Sequence, residues 1–284
     1  MTATKTIEKK APVREPLPQE IDESTDLLTD EAAMKKALAG DEPTMPEAED
    51  PTAELPRGVF YEGAWQTHVE VRELNGMDEE RLSKYKVEED LFNAILALGT
   101  ERIGSIDFSG MSLAERESIL DNLLVGERMI LFLTVVAATF GDERPVEWIC
   151  NECESKNVTD LVLSEDFKPK IPEDVQGPFF FTDSKGREIE FRPVTGADVK
   201  NISTGMNMGA KNTTVLSEIL LKLDGDHIID KKDFVQHLGM KDRRALLTKI
   251  SEVQPEVSLS VEVPCHSCGK ENTLALSWVE LFLT

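Results

Sequence analysis

Val146-Glu-Trp-Ile-Cys-Asn-Glu-Cys153 and Val261-Glu-Val-Pro-Cys-His-Ser-Cys268 are two versions of one phrase, a short alternating strand that runs into a Cys-x-x-Cys turn. Residues 158–163 follow the first turn and 273–278 the second, and both read as returning strands. The cysteines keep an offset of 115 (150 to 265), and Asn157 and Asn272 keep it too. Cys150, Cys153, Cys265 and Cys268 account for all 4 cysteines of the chain. A two-residue spacer at a tight turn lets both sulfurs face one ion, and zinc takes four ligands at the corners of a tetrahedron. Two such knuckles make one closed four-cysteine site if the 111 residues between Cys153 and Cys265 fold back, or two separate half-sites if they do not. A closed site has no open position for substrate, so its role is structural, and its binding energy adds to folding.

Other uses of the four cysteines fit less well. A redox dithiol needs an activated thiolate, commonly at the start of a helix, whereas both pairs lie between strands. Disulfides need an oxidising compartment. His266 lies inside the second knuckle and is a weaker substitute ligand, and Glu152 is the polar neighbour in the first.

Outward from the knuckles the repetition continues. Val69-Glu-Val-Arg-Glu-Leu-Asn-Gly-Met-Asp78 and Glu188-Ile-Glu-Phe-Arg-Pro-Val-Thr-Gly-Ala-Asp198 each read as strand, turn and helix start, with Arg72, Gly76 and Asp78 matching Arg192, Gly196 and Asp198 at an offset of 120. The glycines suggest positive φ, the aspartates a helix N-terminus, and the arginines a brace for each turn. Aromatic hairpins precede them, Val59-Phe-Tyr-Glu-Gly-Ala-Trp65 and Phe179-Phe-Phe-Thr-Asp-Ser-Lys-Gly186. Helices are expected over 88–98, 113–140, 215–223 and 241–251, the second opening with a Ser112/Glu115 capping box. The fold class expected is α+β: two tandem pseudo-repeats, 58–177 and 178–284, each of hairpin, helices and knuckle, sharing one zinc.

Residues 1–57 are different material. Up to Pro56 they carry 14 acids, 6 bases and seven of the 14 prolines, with none of the aromatics. Such a segment buries too little apolar surface to offset its chain entropy, so a disordered acidic tail is expected. Within it, Thr29-Asp-Glu-Ala-Ala-Met-Lys-Lys-Ala-Leu-Ala-Gly40 carries helix start and stop signals.

Net charge is −23, from 54 acids against 31 bases. That repels phosphate and anionic lipid, which argues against nucleic-acid and membrane partners. The longest apolar run, residues 129–140, is too short to span a bilayer and suits a buried helix. The start of the chain lacks a secretory signal, so a reducing cytoplasm is expected. Asp224-Gly-Asp-His-Ile-Ile-Asp230 has Ile228 and Val235 where a calcium loop needs oxygen ligands, and reads as a turn. Gly205-Met-Asn-Met-Gly209 lacks the lysine of a phosphate loop and reads as a loop with Met206 and Met208 open to a partner. His68, His227, His237 and His266 are scattered. No catalytic residues, organic cofactor or small-molecule ligand are expected.

The combination of Arg72-Glu-Leu-Asn-Gly-Met-Asp-Glu-Glu80, Val146–Cys153, Phe191-Arg-Pro-Val-Thr-Gly-Ala-Asp198 and Leu238-Gly-Met-Lys-Asp-Arg-Arg-Ala-Leu246 resembles the T4-type bacteriophage baseplate hub and hub-assembly proteins over residues 58–284. The resemblance implies a non-enzymatic component of the virion tail, assembled in the host cytoplasm, whose partners are other tail and baseplate proteins. Two further readings stay open. One is a tail assembly chaperone absent from the mature particle, and the other is a soluble acidic zinc-ribbon regulator of nucleic-acid machinery.

Overall fold

Alternation of apolar and polar residues through both aromatic segments does produce antiparallel hairpins. In the computed structural model, which describes residues 51–200, 202 and 205–283, β1 (Thr52–Tyr61) turns into β2 (Ala64–Val71). The two turn residues, Glu62 and Gly63, have φ of 48° and 86°, the left-handed pair that matches strand twist in a two-residue hairpin. Helices α1 (Gly76–Leu82) and α2 (Glu88–Gly99) follow, and β3 (Thr100–Ile103) and β4 (Ile106–Asp107) complete an antiparallel sheet in the order β1-β2-β3-β4. Next come α3 (Leu113–Leu120), α4 (Val125–Phe140), the hairpin of β5 (Glu143–Ile149) and β6 (Lys156–Val162), and α5 (Leu163–Asp166).

The same order of element types then recurs. A second antiparallel sheet, β10-β9-β8-β7, is built from β7 (Phe179–Thr182), β8 (Glu188–Phe191), β9 (Leu220–Leu223) and β10 (Asp226–His227). Between β8 and β9 lie α6 (Gly196–Val199) and α7 (Met208–Ile219), and after β10 come α8 (Lys231–His237) and α9 (Met240–Glu252). The hairpin of β11 (Ser260–Pro264) and β12 (Glu271–Ala275) and the short α10 (Trp278–Leu283) close the chain. Details recur as well. A register break falls between Glu70 and Val71 and again between Glu190 and Phe191. Beyond each break the arginine N–H reaches back to the end of a helix, Arg72 to Gly99 O (2.9 Å) and Arg192 to Ile219 O (3.1 Å).

Several sequence expectations need correction. Strand β1 begins at Thr52, six residues before Gly58 (52 against 58), because Leu55 is buried in the core. Pro56 is tolerated there, since the strand lies at the sheet edge and its register shifts between Glu54 and Val59. The helix expected over 113–140 is two, capped by the predicted Ser112/Glu115 box and broken at 121–124. The helix expected over 215–223 stops at Ile219, and residues 220–223 pair with β8 instead, since the sheet edge needs their backbone groups. Gly76 and Gly196 do not have positive φ; each is the first residue of a helix. At Gly196 the need is space: a Cβ would stand 2.2 Å from Nη1 of Arg128. The helix expected at 29–40 and the disordered tail lie outside the described residues, apart from the part of the tail that forms β1.

One core joins Phe92, Ile95 and Leu96 of α2 with Phe132 and Val136 of α4, and it also contains Trp148, Cys150, Val261, Val263, Cys265 and Leu281. Both Cys-x-x-Cys hairpins therefore pack on the first sheet and its helices. A second core gathers Ile189 and Phe191 with Leu216, Ile219, Leu246 and Ile250. The two regions meet where the 121–124 break exposes backbone groups. Val125 N donates to Val194 O (3.2 Å), Gly196 N to Leu123 O (3.0 Å) and Ala197 N to Asp121 O (2.9 Å). Glu127, fully buried, organises the first side of that junction: its carboxylate accepts from the backbone of Arg57, of Gly58 (2.7 Å) and of Leu124 (2.8 Å). Burial pushes its carboxyl up and those three N–H groups pull it back. Among the described residues no helix is long and apolar enough to cross a membrane.

The predicted braces form twice. Arg72 Nη1 bonds Asp78 Oδ2 (2.8 Å) and Glu73 O (2.8 Å); Arg192 bonds Asp198 through both amino groups, each at 2.7 Å. Burial alone would raise both aspartates, but the arginine and backbone hydrogen bonds outweigh it and hold them below the ordinary carboxylate value. A depressed native pKa contributes stability that is fully present above the unfolded value of 3.8 and is lost as pH falls through the lower folded value. Asp198→Asn should therefore lower neutral-pH stability by about 2 kcal/mol and flatten the acid limb of the stability curve. Urea unfolding of both proteins between pH 7 and 3 checks this.

Candidate metal centre

Each knuckle is a strand end closed on itself by backbone hydrogen bonds. In the first, Cys150 N donates to Ser155 O (3.0 Å) and Glu154 N to Cys150 O (3.0 Å); in the second, Cys265 N donates to Lys270 O (2.8 Å) and Gly269 N to Cys265 O (2.8 Å). To close this way the chain needs one left-handed residue, and Gly269 supplies it at φ 68° while Glu154 supplies it at φ 57°. The leading sulfur of each knuckle accepts an N–H from two residues on, Glu152 N to Cys150 Sγ and Ser267 N to Cys265 Sγ, both at 3.4 Å. Such N–H groups favour thiolate.

The fold brings the four predicted ligands together. Their sulfurs lie within 4.8 Å of one another, with Cys150 to Cys268 at 3.8 Å and Cys153 to Cys265 at 3.7 Å. Four sulfurs at ~2.3 Å from a central zinc define a tetrahedron with edges of ~3.8 Å. A disulfide requires ~2.05 Å. Both short pairs cross between the hairpins, so the four sulfurs form one cluster. Cys150 and Cys265 are buried, Cys153 and Cys268 exposed. The side chain of His266 stays in solvent outside the cluster, and Glu152 is likewise exposed.

Asn157 and Asn272 lock the hairpins to each other, a role that sequence reasoning did not assign. Oδ1 of Asn157 accepts from His266 N (3.0 Å) in the opposite knuckle, and Oδ1 of Asn272 accepts from Asn151 N (3.0 Å) in the first. Each amide nitrogen holds its own turn, Asn157 Nδ2 to Ser155 O and Asn272 Nδ2 to Lys270 O, both at 2.9 Å. Their shared offset of 115 was the available signal. Ser155 has no such counterpart: its hydroxyl touches Cys153 Sγ (3.1 Å) and Cys265 Sγ (3.2 Å), while the matching residue is Lys270.

The electrostatics favour a cation. The Ser155 hydroxyl and backbone N–H groups hold Cys265 down to about 5. Backbone N–H groups lower Cys150 as well. Cys268, despite the Lys270 N–H, is pushed up to about 12 by desolvation and by the three neighbouring sulfurs. Like charges this close cannot all ionise alone, and a central dication reverses that.

Among the described residues the calcium-like segment is a turn, with Asp224 and Gly225 at φ 51° and 89° and Asp224 Oδ1 accepting from Glu188 N (2.7 Å). Met208 opens α7 with its side chain exposed. For the knuckles, Glu154→Gly should stabilise the fold by about 1 kcal/mol by removing a left-handed non-glycine residue, and Gly269→Ala should destabilise it by a similar amount. Thermal unfolding of the two variants beside the parent protein reads both signs.

The sequence model of a family described as T4 bacteriophage base plate protein matches residues 111–284, a stretch that contains all four cysteines and both hairpins. Residues 58–110, which share the motif resemblance, lie outside the match. No curated protein and no solved structure matches the chain. With well over half its length matched, this chain belongs to the T4 bacteriophage base plate protein family.

Proposed function

We propose that the chain is a non-catalytic scaffold at the hub of a phage baseplate, or in its assembly, in which one structural zinc staples two copies of a single module. Cys150, Cys153, Cys265 and Cys268 are the ligands. The observation that carries the reading is the pairing of sulfurs across the hairpins at 3.7 and 3.8 Å. Two ligands come from each end of a 111-residue excursion, so the metal ties distant parts of the chain and leaves no position for substrate. In support of duplication, residues 52–166 and 179–283 run through the same eleven elements, ββααββααββα, in the same order. The proposed modules span 58–177 and 178–284, the first also taking in β1 from Thr52.

A rigid two-module body suits bridging between other tail and baseplate proteins in the particle. The acidic segment ahead of β1, residues 1–50, serves as a charged arm that keeps free subunits apart in the host cytoplasm before docking. Family membership supports the tail location and the structural rather than enzymatic role.

Two measurements test this. Elemental analysis of the purified chain should give about one zinc per chain, and Cys265→Ser should lose it together with several kcal/mol of stability; metal retention with unchanged melting refutes the staple. Quantitative mass spectrometry of purified particles should find a fixed copy number. Abundance in the producing cell with none in particles indicates an assembly chaperone or a soluble regulator instead.

A further inference from the structure

Arg128 is buried without an ionic partner. It lies on α4 with 4% of its surface exposed, and among the described residues no carboxylate oxygen lies within ion-pair distance of it. Its Nη2 donates to Asn93 Oδ1, its guanidinium carbon sits 5.5 Å from the centre of the Phe92 ring, and its Nε has no hydrogen-bond partner. The nearest acids make no ion pair with it. Asp121 pairs with Lys200, while Glu89 and Glu117 act only through space. A buried cation left this way is costly, and a missing counter-charge is the usual remedy.

Beside Arg128 is a cavity of about 180 Å3, walled by Phe92, Met129, Val125, Val199 and Trp278, with Glu89 also lining it. Phe92 and Trp278 meet edge to face at 5.2 Å, which gives the cavity an aromatic wall. The junction between the two modules helps to shape it. Gly196 leaves room for the Arg128 side chain, whose Nη1 a Cβ would meet at 2.2 Å, and Val199 follows on the same short helix. Arg128 supplies a cationic fork and Glu89 an acid, and the other five lining residues are apolar or aromatic; a fork set among such walls is the chemistry that takes a carboxylate carried on an apolar body.

We infer that this cavity is a binding site for a small apolar carboxylate, with Arg128 as its counter-ion and Phe92 and Trp278 holding the apolar part. Such a group can arrive as a free acid or as the C-terminal residue of another chain. The inference does not depend on the baseplate reading or on the zinc.

The test is titration calorimetry on the full chain with benzoate beside neutral benzamide, and with N-acetylphenylalanine beside its amide. Each acid should bind at least about tenfold more tightly than its amide, the worth of one charge-assisted hydrogen bond. Arg128→Gln should erase that preference. Because Arg128 is buried and its replacement can unfold the chain, Val125→Phe is the companion variant: Val125 is 43% exposed, and the larger side chain fills the cavity from its rim and should abolish binding of both acids. Tighter binding of N-acetylphenylalanine than of benzoate assigns the site to a chain terminus, and the reverse order assigns it to a free acid. Failure of both acids to bind, equal binding of acid and amide, or unchanged binding in Val125→Phe overturns the site.

Discussion

Four sulfurs drawn to within 4.8 Å of one another are the constraint on which the molecule turns. Uncompensated, such a group of thiols holds protons at a cost and repels as thiolates; around one dication it becomes a covalent-like junction between residues more than a hundred positions apart. The surroundings agree with that use. The leading sulfurs receive backbone N–H bonds, and Asn157 and Asn272 each reach across to the other hairpin. The amides hold the knuckles in register through neutral hydrogen bonds, so orientation is set by the protein and the charge balance is left to a metal.

The junction has consequences for the core. Since the second hairpin is tied to the first, its apolar face, Val261 and Val263, packs with Trp148 and the first module's helices. The rest of the second module keeps a separate core around Phe191 and Leu216. Residues 178–283 thus meet the preceding stretch at several separated places: at the knuckles, at the 121–125 to 193–197 backbone contact, at the Lys170–Glu256 bridge, and where Trp278 and Phe282 pack on Phe92, Phe132 and Phe140. Separated contacts resist rotation of one body on the other, which a single contact does not.

The correspondence between the modules is closest where backbone geometry leaves little choice. The register break before each arginine, the arginine–aspartate brace and the left-handed residue in each knuckle all recur. Some side chains differ between the two stretches. Glu154 stands where Gly269 does, Ser155 where Lys270 does, and Arg128, which bonds Asn93, lines a cavity.

By itself the sequence determined the candidate ligands, the hairpins, the Ser112 cap and the Arg–Asp braces. Each of these depends on residue types at short spacing, where covalent connection already limits the geometry. The turn glycines misled because glycine answers two needs, positive φ and absence of a Cβ, and only the neighbour at Gly196, Arg128, tells which applies. The end of α7 at Ile219 and the start of β1 at Thr52 were likewise decided by pairing partners remote in the chain. Tertiary structure alone decided that the four cysteines of the two knuckles come within 4.8 Å of one another, that Asn157 and Asn272 cross between the hairpins, and that Arg128 is buried without an ion pair. These follow from which surfaces meet, and a linear spacing carries no information on that until the chain has folded.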